Sequence, residues 1–161
     1  MLKTLSLLLI ILLGGCMNKE LISKQNQESA FIVIKTPKMK YADLGFIYKK
    51  EDLVKVEIYA LGQAQFTIDI NGMNVCMSTF ECMSKADFNA KFLSRYYPDT
   101  LLERIFSAKP IFNQEGLTQT DDGFIQKIQK ENTYNISYLV TSNQQSFRDT
   151  INKILIKVKK K

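Results

Sequence analysis

The chain has 161 residues, 45% of them hydrophobic, with a formal net charge of +6, three cysteines, no histidine and no tryptophan. That length supports one domain with a modest core. Without histidine the usual general base and the commonest zinc ligand are missing, and no nucleophile elbow, phosphate loop or nucleotide-binding glycine fingerprint occurs, so neither an enzyme nor a bound cofactor or metal is expected.

Residues 1–3 form a short basic start with Lys3, and residues 5–13 form an apolar run of secretory-signal length, too short to span a bilayer as a stable helix. The run ends in Leu13-Gly14-Gly15-Cys16, which resembles the bacterial lipobox: a leucine three places before a cysteine, with small residues between. The lipobox implies a diacylglyceryl group on Cys16, cleavage before it at the end of signal 1–15, and acylation of the new amine. The alternative is an ordinary signal with an incidental cysteine. Each buried methylene of an acyl chain contributes about 0.8 kcal/mol, so two or three chains form a durable anchor. Met17 stands where an aspartate would signal retention in the inner membrane, which favours the periplasmic face of the outer membrane.

Loss of Lys3 lowers the net charge by one, to about +5, a balance that suits an anionic lipid or an acidic partner. A nucleic-acid role fits poorly, because the lysines are scattered apart from the tail Lys157, Lys159, Lys160 and Lys161. The stretch NKELISKQNQES is polar and lacks strand alternation, so residues 16–30 read as the lipidated start and a tether, ahead of a domain over 31–161.

From Phe31 the strands begin. Residues 31–34 are a short apolar run ended by Pro37, and residues 39–48 a less regular one containing Gly45. In LVKVEIYALGQAQFTIDI, residues 53–70, Val54, Val56 and Ile58 alternate with Lys55 and Glu57, and Phe66, Ile68 and Ile70 alternate with Thr67 and Asp69. That period of two marks a half-buried antiparallel pair. Gly62 supplies the positive φ of a tight reversal and leaves Leu61 at the bend. Leu61 either folds back on a neighbouring loop or contacts a membrane or ligand. Asn71-Gly72 is a strong hairpin signal that pairs residues 73–77 with 66–70, and residues 79–82 add a brief fourth piece.

Beyond this the period changes. Ser84 reads as an N-cap with Asp87 three residues on, and Phe88, Phe92, Leu93 and Tyr96 recur at helical spacing until Pro98. A second short helix, capped by Asp99 or Thr100, carries Leu101, Leu102, Ile105 and Phe106 before Pro110. Three late strands follow, through Phe124, Ile125 and Ile128, then Tyr134, Ile136 and Tyr138, then Ile151, Ile154, Ile156 and Val158, with turns at 121–123 and 141–143. The expected fold is α+β, a mainly antiparallel curved sheet in the form of a half-open β-barrel covered by two short helices. Its concave face would carry Val56, Ile58, Phe66 and Ile68, with Phe88, Phe92, Leu102 and Phe106 opposite. These eight make either a sealed core or a cavity for lipid tails, and the methionines would adapt to apolar guests of variable shape. Cys76 and Cys82 are close enough to close the bend after the hairpin as a disulfide; a reduced pair or a redox site is the alternative. The acidic pairs Glu51-Asp52 and Asp121-Asp122 read as solvated turn residues.

The lipobox, VEIYALGQAQFTIDINGMNV and SKADFNAKFLSRYYPDTLLERIF, in that order and followed by KENTYNISYLV and INKILIKVKK, together resemble the LolB family of outer-membrane lipoprotein receptors, within the wider LolA/LolB fold. The similarity runs from about residue 43 to 112. Ala60 stands where that family commonly has proline, and the family's tryptophans are absent. The resemblance implies a half-open barrel, lidded by helices, that shelters acyl chains received from a periplasmic carrier. It also implies that the tip Leu61-Gly62 inserts lipoprotein cargo into the membrane; the protein is expected to work as a monomer, without nucleic acid. A second reading is a structural or assembly lipoprotein of a cell-envelope machine such as lipopolysaccharide export, whose β-domain binds protein and holds no lipid.

Overall fold

A computed structural model describes residues 27–78 and 81–161. The signal, Cys16 and most of the proposed tether lie outside the described residues.

Alternating apolar residues build eleven strands into one antiparallel sheet: β1 (Gln27–Lys35), β2 (Lys40–Lys50), β3 (Leu53–Ala60), β4 (Gln63–Ile70), β5 (Asn74–Met77), β6 (Cys82–Ser84), β7 (Leu117–Thr120), β8 (Gly123–Lys130), β9 (Tyr134–Thr141), β10 (Gln144–Asp149) and β11 (Ile154–Lys160). Their order is β6-β5-β4-β3-β2-β1-β11-β10-β9-β8-β7, so the first and last described strands pair mid-sheet and the sheet is open between β6 and β7. Two helices, α1 (Lys85–Phe92) and α2 (Leu101–Phe106), lie in the segment that joins those two edges.

One face of the sheet is buried from β5 to β8. Val56, Ile58, Phe66, Ile68, Ile32, Ile156, Phe147, Tyr138, Ile136 and Ile128 join the helix residues Phe88, Leu101, Leu102, Ile105 and Phe106 in a single cluster. A flat sheet of eleven strands would be about 50 Å wide, whereas helices of eight and six residues are about 12 and 9 Å long. So little cover buries one face of so many strands only because the sheet curves around it. Gly45 marks a tight place in that curve. It faces Ile58 across the β2–β3 pair, and a Cβ there would sit 2.0 Å from the Glu57 carbonyl oxygen.

The helices begin as their sequences predict. Ser84 Oγ accepts from the Asp87 amide at 3.1 Å and caps α1, and Thr100 precedes α2 without a side-chain cap. α1 ends at Phe92, however, well before Pro98: Leu93 takes the C-cap, and a turn closed by the Tyr97 amide on the Ser94 carbonyl follows. Four further differences stand out. β1 begins at Gln27, so Gln27, Glu28 and Ser29 pair with β2 instead of serving as tether. The fourth piece is described at Cys82–Ser84, and residues 79 and 80 of the expected 79–82 lie outside the described residues. β7 and β10 are strands where none was expected, and Ile151 lies in the turn before β11, 43% exposed, instead of in a strand. The inward positions of β10 are Gln145, Phe147 and Asp149, and two polar residues on a buried face erase the alternation that reveals a strand.

Candidate functional site

Leu61 and Gly62 alone connect β3 to β4, with φ of 53° and 77°. Positive φ at both central residues is the turn whose twist matches a hairpin. Glycine adopts it freely, but leucine does so at a cost. The Leu61 side chain, 103% exposed, packs on none of the described residues. Among the described residues it folds back on no neighbouring loop.

The covered face contains the other predicted residues. Val56, Ile58, Phe66, Ile68, Phe88, Leu102 and Phe106 are each under 5% exposed, and Phe92 is half-buried at the end of α1. Phe66 stacks on Tyr41 with ring centroids 3.9 Å apart, and Phe88 meets Phe92 at 5.0 Å. Seven of the eight thus belong to one buried cluster, and Phe92 packs against it. Gln145 on this face is fully buried, and among the described residues neither its Nε2 nor its Oε1 has a hydrogen-bond partner.

Two polar clamps hold the cover down, and neither was legible in the sequence. Asp149, 1% exposed, accepts the Tyr97 hydroxyl, Asn152 Nδ2 at 2.7 Å, and the amides of Asn135 and Ile151 at 3.1 and 2.9 Å. Burial pushes its carboxyl pKa up, but these donors outweigh burial and hold it below the ordinary aspartate value. The same burial, then the hydrogen bond to Asp149, pushes the Tyr97 hydroxyl far above a normal tyrosine. On the other half, Gln126 Oε1 accepts the Ile111 amide at 2.8 Å while Nε2 donates to the carbonyls of Ile111 and Glu115 at 3.0 and 2.8 Å. The Tyr138 hydroxyl, its pKa raised by burial, reaches the Ile105 carbonyl at 3.4 Å.

The outer face near the tip is aromatic. Glu57 accepts the hydroxyls of Tyr48 and Tyr59 at 3.2 and 2.9 Å and pairs with Lys55 at 2.8 Å. Burial, then the charge of Glu57, pushes the Tyr48 pKa up to about 12. Phe46 packs edge-on to Tyr59, and Phe31 and Leu44 beside it are 41% and 42% exposed. Cys76 and Cys82 face each other across the β5–β6 pair as a disulfide, Cα atoms 4.0 Å apart, so the edge strand is fastened before α1 begins. At the opposite end of the sheet from Leu61, a pocket of about 260 Å³ is lined by Glu51, Asp52, Gly72, Lys85, Glu103 and Arg104 among others, and by none of the eight cavity candidates. Lys85 is buried there against Glu103. Among the described residues no helix is long and apolar enough to cross a membrane, and no cluster of acidic or sulfur side chains could hold a metal.

No protein-family model matches this chain, and a search of curated proteins returns no match.

Proposed function

We propose that this chain is an outer-membrane lipoprotein of the LolB type, a half-open barrel that receives lipoproteins from a periplasmic carrier and passes them to the bilayer through the Leu61 tip. The observation that carries the reading is Leu61 itself, a fully exposed leucine in a strained two-residue turn. Nothing in the fold of the domain asks for an apolar side chain there, and asparagine or glycine would suit the backbone better. Further support comes from the apolar inner face and the unpartnered Gln145 amide on it, which matches the polar ester or amide where an acyl chain joins its cargo. Transfer of this kind needs no bond chemistry, only a gain in apolar burial from carrier to receptor to bilayer. Acceptance of a chain requires the cover to lift from the sheet. Cys16, acylated, would keep the domain beside the membrane.

A second reading, an assembly subunit of an envelope complex with a solid core, is favoured by the tightness of that same face, with seven of the eight candidates under 5% exposed. The test loads the periplasmic carrier of the same bacterium with a lipoprotein and mixes it with the mature protein. On the receptor reading cargo moves to this chain, and Leu61→Glu still accepts cargo but fails to release it to vesicles. Cargo that stays on a competent carrier, together with a stoichiometric protein partner recovered in mild detergent, would support the assembly reading instead.

A further inference from the structure

Antiparallel pairing places the connections of this sheet alternately at its two ends. The end that carries Leu61 also carries the β1–β2 turn and the β10–β11 turn, and the order β4-β3-β2-β1-β11-β10 makes these three tips consecutive around the rim. Adjacent tips lie two strands apart, about 10 Å across the sheet, and the register sets the Leu61 turn level with Val33 of β1, so it is staggered along the strands from the β1–β2 turn. The first presents Leu61, the second exposed Pro37 and Lys38, and the third Ile151, 43% exposed, with exposed Lys153. None of the three turns contains a carboxylate. Beyond them, Glu81 is paired with Lys91, and Glu131 sits one tip further on.

Each tip is held rigidly. Thr36 Oγ1 accepts the amides of Lys38 and Met39 at 3.1 and 3.0 Å, the Leu61-Gly62 turn is the shortest hairpin connection, and buried Asp149 accepts the Ile151 amide. A rigid turn that holds an isoleucine in water, beside a lysine, two tips from a leucine held the same way, is a surface shaped for an apolar layer edged with negative charge.

We propose that these three tips form one docking surface for an anionic phospholipid bilayer, with Ile151 entering the apolar layer alongside Leu61 and with Lys38 and Lys153 on the headgroups. The proposal rests on the membrane reading of Leu61 and extends it from one point of contact to a plane. It also fixes how the protein stands. β1 starts at Gln27, at the end away from Leu61. The ten residues numbered 17–26 reach at most about 36 Å when extended, against about 30 Å for the nine residues of β1. A chain anchored at Cys16 is therefore just long enough to run back beside the domain and let the three tips face the bilayer that holds the anchor.

The absence of tryptophan makes the test direct. Three variants of the mature chain, each with Cys16→Ser so that no acyl group masks the contact, carry Leu61→Trp, Ile151→Trp, or Met73→Trp as a control, Met73 being 80% exposed at the opposite end. On vesicles of phosphatidylethanolamine and phosphatidylglycerol, emission at positions 61 and 151 shifts to the blue and is shielded from an aqueous quencher, while emission at 73 is unchanged. The double variant Lys38→Gln/Lys153→Gln partitions about thirtyfold less onto these vesicles, two lysines being removed from the surface. A shift at 61 without one at 151 overturns the docking plane and leaves the Leu61 reading standing. No shift at either overturns both, and a shift at all three positions marks non-specific adsorption and overturns the plane.

Discussion

Leu61 occupies a backbone conformation that costs a leucine about 1 kcal/mol, in return for no contact within the domain. Leu61→Asn is therefore expected to raise the stability of the protein by about 0.5–1 kcal/mol in urea unfolding, and, on the proposed receptor reading, to lower delivery of cargo to vesicles, a trade of stability for function. This residue was legible in the sequence because Gly62 and the alternation on either side define the turn unaided. Asp149 was not, since an aspartate between Phe147 and Ile151 looks like loop. Its meaning comes from Tyr97, Asn135 and Asn152, which only the fold brings to it. Because its pKa in the folded protein lies below that of the unfolded chain, its stabilisation is complete above the ordinary aspartate range, about pH 4, and drains as pH falls through the folded value. Asp149→Asn accordingly costs about 3 kcal/mol at pH 7, and the gap from the natural protein narrows as the solution is acidified below about pH 4. A gap independent of pH would show that the carboxylate charge contributes nothing to the clamp.

Strands and helices with one apolar face were readable from their periods, and the register follows. Val54, Val56 and Ile58 meet Ile70, Ile68 and Phe66 across the β3–β4 pair. The alternation fails where the buried face carries polar groups, as in β10, or where an edge strand is exposed after its first residue, as in β7. Helix length was overread for a different reason. Phe92, Leu93 and Tyr96 keep a helical spacing past the point where Asn89 turns its side chain to the carbonyls of Tyr97 and Pro98, folding the chain back on α1. Gly45 shows what spacing alone conceals. In β2 it reads as a weak point, yet Gly45→Ala drives a methyl group into the Glu57 carbonyl. That substitution is expected to destabilise the protein by about 1–3 kcal/mol, measured by thermal unfolding, whereas alanine is ordinarily the better strand residue.

The molecule as a whole is an open sheet curved around a short helical cover, fastened to that cover by Asp149 on β10, by Gln126 on β8 and by the disulfide at the edge that leads into α1. Fold class and the identity of the inner face could be read from the sequence. Whether that face closes into a core or opens to a guest depends on a few ångströms of fit between cover and sheet, which no periodicity encodes. The most direct measurement is photo-crosslinking during transfer, with a photoreactive phenylalanine derivative replacing Phe106 on the cover or Phe46 on the outer face. If the inner face receives acyl chains, Phe106 crosslinks to the lipid moiety of the cargo and Phe46 does not. No crosslink at Phe106 while cargo reaches the membrane, or an equal yield at both positions, would contradict the account.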